Sequence, residues 1–314
     1  MCQNRFLLVQ RNGEKNMAII IDDQHRIFTL QTKNSTYQMK ADAQNVLLHS
    51  YYGEKTDSSD KSLLYWRADR GFSGNPYEIG KLDRTYSMDS LAQEYSCFGT
   101  GDYRITSLRV QNKDGSQVSQ LRYVGYEVQE GKYAIPGLPA VYAQNDEADT
   151  LILRLADPYS GLEVELYYGI LTETDIITRA VKITNPGTDD LVLQKAASMN
   201  LDFEYGDFQW ISFYGRHSME MNFQKEHIHH GIQSVGSVRG SSSHQYNPFV
   251  ILCEDGANET MGSCYGFSFV YSGEFLIEAE KDQLDRTRLI CGIHPDNFSW
   301  TLSHGDSLWL PEVM

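Results

Sequence analysis

Long apolar runs are what this 314-residue sequence most clearly lacks. None approaches the roughly 20 residues that a bilayer-spanning helix needs, and the greasiest stretch, residues 265–271, is short and interrupted. A helical membrane protein is thereby excluded. Positive charge is also scarce: 27 Lys and Arg stand against 42 Asp and Glu, a formal net charge of −15. With no Lys/Arg stripe to reverse it locally, such a surface repels phosphate backbones and anionic lipid, which argues against nucleic acid and membrane as partners. Cysteines number five (Cys2, Cys97, Cys253, Cys264 and Cys291), and no CxxC pair occurs. An odd count in a long chain indicates neither a disulfide framework nor a zinc knuckle, so reduced thiols in a cytoplasmic protein are expected. Residues 1–16 hold only the short apolar cluster 6–9, which is no signal-peptide core.

Amphipathic runs of helical length are missing almost everywhere, and what fills their place is strand pattern. Leu162, Val164, Leu166 and Tyr168 alternate with Glu163, Glu165 and Tyr167, the period-two signature of a half-buried strand. Residues 177–183 are rich in β-branched side chains and stop at Asn185-Pro186-Gly187, after which 191–193 restart the pattern; this predicts a hairpin. Further short strands are expected at 18–21, 27–30, 46–49, 121–128, 151–155, 249–253, 265–271 and 298–302. With 41% hydrophobic residues and 20 tyrosines, which suit pleated surfaces, the chain reads as all-β, a large antiparallel sandwich. The polar stretch 57–61 reads as an exposed loop.

Candidate chemistry is sparse. His227 and His229, two apart, would share one face of a strand and could hold a metal. No acidic ligand follows them closely, so a solvated strand end is the better reading and no metal is expected. The run from Arg239 to Phe249 is Ser-rich and contains His244 and Asn247. It lacks a nucleophile-elbow pattern and suits side-chain anchoring of a loop. Asp69-Arg70 and Asp83-Arg84 flank a turn containing Gly71, Gly74, Asn75 and Pro76. By default each is a surface ion pair of little energetic value, although the loop could also point at a polar ligand.

Longer motifs carry a resemblance. Met17-Ala18-Ile19-Ile20, Leu48-His49-Ser50-Tyr51-Tyr52-Gly53, Asp69-Arg70-Gly71-Phe72-Ser73-Gly74-Asn75-Pro76, Asp83-Arg84-Thr85-Tyr86-Ser87 and Gln93-Glu94-Tyr95 stand in order along the chain. They are followed by Gly137-Leu138-Pro139-Ala140-Val141-Tyr142, the 239–249 run, Tyr265-Gly266-Phe267-Ser268-Phe269 and Pro311-Glu312-Val313-Met314. From Met17 onward the sequence resembles bacterial α-galactosidases of the raffinose and melibiose type, glycoside hydrolase family thirty-six. It departs at 215–219, at 79–82 and at His304-Gly305-Asp306, where the family commonly has Pro-Gly-Glu.

The resemblance implies a galactose mutarotase-like β-supersandwich over 17–310, with 311–314 opening a linker to a (β/α)8 catalytic barrel. Residues 1–16 read as an upstream extension, because the codons of Gly13-Glu14 and Lys15-Asn16 can supply a ribosome-binding site and spacer before Met17. The family's nucleophile sits in a Lys-Trp-Asp motif of the barrel, and none of Trp66, Trp210, Trp300 and Trp309 has that context. This stretch is therefore expected to be non-catalytic and inactive alone, with no cofactor. The parent would be a cytoplasmic tetramer that hydrolyses terminal α-galactosides with retention. The family's trans-acting loop implies that Asp69 and Arg84 contact substrate in a neighbouring subunit. The alternative is a stand-alone carbohydrate-binding or epimerase-like sandwich, which would need a buried His and carboxylate converging on a sugar; His244 is the histidine considered for that.

Overall fold

The structure, a computed structural model, describes residues 6–8, 18–65, 67, 83–204 and 207–314. Its strands are β1 (Phe6–Leu8), β2 (Ile19–Asp22), β3 (Ile27–Gln31), β4 (Ser35–Ala41), β5 (Leu47–Glu54), β6 (Leu108–Gln111) and β7 (Arg122–Glu130). Next come β8 (Ala148–Ala156), β9 (Glu163–Leu171), β10 (Ile176–Thr184), β11 (Leu191–Phe203), β12 (Phe208–Arg216), β13 (Met219–His227) and β14 (Gly231–Ser237). The last are β15 (Tyr246–Glu254), β16 (Cys264–Val270), β17 (Phe275–Lys281), β18 (Thr287–Ile293), β19 (Trp300–Leu302), β20 (Ser307–Trp309) and β21 (Glu312–Val313). Among the described residues the helical elements are two single 3-10 turns, Lys61–Leu64 and Thr172–Thr174, and no helix is long and apolar enough to cross a membrane.

Three antiparallel sheets form. β1 to β5 make a meander. A ten-stranded sheet runs β13-β12-β15-β16-β21-β10-β9-β8-β7, with β20 added on β10. A six-stranded sheet runs β14-β17-β18-β11-β19, with β6 on β11. The all-β, antiparallel expectation holds. Around β9, Leu162, Val164, Leu166 and Tyr168 enter the main core and Glu163 stays exposed, as read, but Tyr167 is buried in a separate apolar cluster with Tyr133 and Ile152, so the strand's second half is covered on both faces. Fully burying side chains of this size is worth about 1.5–3 kcal/mol each. Phe6–Leu8 pairs with Ile20–Asp22 as an outer strand.

The expected hairpin across Asn185-Pro186-Gly187 does not form. β10 stays in the ten-stranded sheet while β11 enters the six-stranded one, so the chain crosses between layers there. Local sequence signals a turn but not which partner the next strand finds. The turn is held instead by residues far along the chain. Asn185 Nδ2 donates to the Asp189 and Leu302 carbonyls (2.9 and 2.8 Å), and the Asn185 backbone exchanges hydrogen bonds with Gly305 and Asp306. The departure at 304–306 thus forms the far wall of this crossover. The strand expected at 298–302 starts two residues later, at Trp300.

Candidate functional site

Two features combine near the middle of the sandwich: a buried polar hub and a cleft that opens beside it. The hub is Glu94, fully buried. Tyr37 and Tyr168 donate their hydroxyls to its Oε1 at 2.6 and 2.7 Å, the Arg179 guanidinium lies 2.9 Å away, and His49 Nδ1 stands 3.2 Å from Oε2. Arg179 also donates to the Asn200 carbonyl at 2.6 Å. Tyr37 and His49 come from β4 and β5, and Tyr168 and Arg179 from β9 and β10, so two sheets meet at one carboxylate, and Arg179 ties it to the third through Asn200 of β11. Burial opposes ionisation of Glu94. The Arg179 charge, then the His49 and Tyr37 contacts, overcome it and hold the carboxyl below its ordinary value.

A second ionic chain begins two residues beyond Asn200. Asp202 takes Arg288 in a bidentate pair at 2.6 and 2.7 Å, and Arg288 reaches Asp102 at 2.7 Å. Arg286 pairs with Asp282 at 2.8 Å and lies 3.7 Å from Glu204 Oε1. Burial raises Asp202, but the Arg288 charge and hydrogen bond pull it far below the carboxylate range. At Glu204 burial wins over Arg286, and the carboxyl is pushed up to about 7. Its Oε2 is buried without a hydrogen-bond partner.

Glu204 lines a cleft of about 660 Å3 with His49, Ser50, Tyr52, Tyr65, Phe203, Phe208, Cys264 and Tyr265 among its walls. Ser50 is the extra residue of a bulge: β4 and β5 pair Gln38 with Tyr51 and then Met39 with His49, leaving Ser50 unopposed. A bulge re-aims a side chain, and here Ser50 Oγ meets the Tyr65 hydroxyl at 2.8 Å. Tyr265 packs against Tyr52 and Phe203 with ring centroids 5.0 Å apart in both cases.

Among the described residues, those singled out in the sequence fall elsewhere. Asp69 lies outside the described residues, as do the rest of its motif and the altered spacer 79–82. Arg84 is exposed at the tip of a turn that Asp83 closes by accepting from the Thr85 N–H and hydroxyl (2.8 and 2.6 Å). Tyr86 then anchors the segment through its hydroxyl to Asp42 at 2.6 Å. β13 ends at His227, and His229 sits in the turn beyond, so the shared-face argument for these two does not apply. His227 approaches Asp255 at 3.9 Å, while His229 Nδ1 contacts the His230 carbonyl. Within the 239–249 run Ser243 Oγ accepts from the Gln245 N–H, and the Ser241 carbonyl accepts from Ser237 Oγ outside it, but Asn247 Oδ1 is buried without a partner, so the expected side-chain anchoring holds only at Ser243. His244 itself is exposed. The buried His–carboxylate pair is His49 with Glu94. It lay in two quoted motifs, but nothing in their spacing showed that residues 45 positions apart would meet.

Comparison with known proteins identifies the fold. Residues 45–303 match the glycosyl hydrolase family 36 N-terminal domain, and the chain belongs to that family. It is 52% identical over 298 residues to the bifunctional α-galactosidase/sucrose kinase AgaSK of Mediterraneibacter gnavus, covering 95% of this chain and 32% of that protein. With α-galactosidase AgaA of Geobacillus stearothermophilus the identity is 38% over 299 residues, covering 95% of this chain and 41% of the relative. The solved galactosidase domain of AgaSK superimposes with a TM-score of 0.92 at 51% identity, covering 94% of this chain and 41% of that one. The AgaA crystal structure gives 0.88 at 39% identity, covering 91% and 40%. The chain therefore spans well under half the length of these relatives and corresponds to the family's N-terminal domain.

Proposed function

We propose that this domain serves an α-galactosidase whose catalytic carboxylates lie in a (β/α)8 barrel of the same longer chain, acting on terminal α-galactosides with retention. The observation that carries the reading is the coverage: the chain is matched almost end to end, at 52% identity, by under a third of a bifunctional α-galactosidase/sucrose kinase. A crystal structure of AgaA, one of the relatives, is described as a complex with raffinose, which supports a raffinose-type substrate. Retaining hydrolysis needs a nucleophile and a separate acid/base, and the family places both outside this domain.

Within that reading the domain contributes position rather than chemistry. It forms part of a cytoplasmic homo-tetramer, and its loop carries Asp69 and Arg84 into a neighbouring subunit's site, one accepting and one donating hydrogen bonds to sugar hydroxyls. The exposed setting of Arg84, on a turn braced by Asp83 and Tyr86, supports such a role. The test is an assay of the purified 314-residue chain on a chromogenic α-galactoside, alone and mixed with a separately produced barrel. No turnover alone and measurable turnover with the barrel are expected. Turnover by the chain alone would overturn the division of labour.

A further inference from the structure

The cleft beside the hub has no assigned occupant. About 660 Å3 falls within the range of small-molecule sites, roughly 300–1,000 Å3. Its described walls carry no Lys or Arg, whereas Glu54, Asp175, Asp202, Glu204 and Glu254 all line it. No wall cation offers a partner to a phosphate or carboxylate ligand, and Glu54 and Glu254 would repel one. A chelated metal is equally poorly served, since the described residues contain no cluster of three His, Cys, Asp or Glu that could hold one. What the walls offer is neutral: the Ser50–Tyr65 hydroxyl pair, the His49 ring whose other nitrogen is taken up by Glu94, and the aromatic faces of Tyr265, Phe208 and Phe203.

Glu204 supplies the pointer to a ligand. Its side chain is only 10% exposed, and its Oε2 has no hydrogen-bond partner. Leaving a buried carboxyl oxygen unpaired costs about 1–3 kcal/mol, a cost that a hydroxyl-bearing ligand would relieve. Aromatic faces together with hydroxyl and carboxyl groups in one cleft suit a ring with one apolar face and an equatorial rim of hydroxyls.

We propose that this cleft binds an uncharged, unphosphorylated sugar ring, with Glu204, Ser50 and Tyr65 meeting its hydroxyls and Tyr265 with Phe208 covering its apolar face. Arg84 is not among the described residues that line the cleft.

The test is titration of the 314-residue chain with D-galactose, D-glucose and galactose 1-phosphate, followed by saturation-transfer NMR. Saturable binding of at least one neutral sugar is expected, with none of the phosphate. Glu204→Ala should weaken that binding about tenfold, the loss of one good hydrogen bond, and His244→Ala, at an exposed residue outside the cleft, should leave it unchanged. Cys264, exposed on the rim, gives a second readout that needs no variant: the neutral sugar should slow its alkylation by iodoacetamide, measured by mass spectrometry at that residue. No saturable neutral-sugar signal, equal binding of the phosphate, loss of binding in His244→Ala, or a Cys264 alkylation rate untouched by sugar would each overturn the proposal.

Discussion

Glu94 and Arg179 face each other at 2.9 Å where neither is reached by solvent, their side chains 0% and 6% exposed. Removing one partner of such a pair strands the other charge, at a cost of about 3–5 kcal/mol. Glu94→Ala should therefore destabilise the chain by that amount in urea unfolding. Glu94→Gln, which keeps an acceptor for the Tyr37 and Tyr168 hydroxyls, should lose less. A loss below about 1 kcal/mol in Glu94→Ala would place the hub's energetics elsewhere.

Glu204 makes stability depend on pH in the opposite sense from a paired carboxylate. Its carboxyl rises from the ordinary 4.5 to about 7, so within that window the folded chain holds a proton that the unfolded chain has released. Stability contributed by this group is then full below 4.5, falls as pH rises, and is gone above about 7. Glu204→Gln should flatten the slope and leave the variant more stable than the parent above the window, by on the order of 2 kcal/mol. Melting temperatures across the window, parent against variant, check it. Parallel curves would show that Glu204 is not the group responsible.

Asp69 and Arg84 matter only in the complete, assembled enzyme if the loop reading is right. Asp69→Ala and Arg84→Ala should each raise KM for melibiose or raffinose while light scattering shows the same assembly. Wild-type KM and kcat in both variants would reduce the loop to scaffolding.

Near the β12–β13 turn the sequence suggests the wrong fragile residue. His244 belongs to a run read as structural, yet it is exposed, and His244→Ala should shift stability by less than about 0.5 kcal/mol. Gly215 is the tight position. A Cβ there would stand 2.6 Å from the Met219 carbonyl oxygen, 2.8 Å from Glu220 Cα and 3.0 Å from the His244 carbonyl oxygen, all backbone atoms. Gly215→Ala should cost about 1–3 kcal/mol, read by thermal unfolding side by side with His244→Ala.

What could be read from the chain alone was whatever is local. The β9 alternation is written in every second residue, and the shortage of helical periodicity excludes the other fold classes. β12 and β13 escape, although Met219, Met221 and Phe223 alternate with polar residues along β13; that apolar stripe stays exposed in the fold. β18 escapes because an interior arginine, Arg288 at 1% exposure, interrupts its apolar pattern; it is tolerated only because Asp102 and Asp202 arrive from 186 and 86 residues away. The cleft was illegible for the same reason. Its lining takes in a bulge at Ser50 and Glu204, and no spacing links them. Family motifs did include His49 and Glu94, but as members of a string rather than as a pair.

One carboxylate that gathers side chains from two sheets, with Arg179 reaching the third at the Asn200 carbonyl, also limits how the domain can come apart. Peeling away the β1–β5 meander would pull Tyr37 and His49 off Glu94, and loosening β9 and β10 would take Tyr168 and Arg179. Either motion opens a dry charge to water before much apolar surface has parted. Partial openings are then as costly as complete ones, so amide protons of β4, β9 and β11 should exchange with deuterium together, at the rate of global unfolding. The exposed β13 hairpin, tied to no such centre, should exchange earlier and on its own.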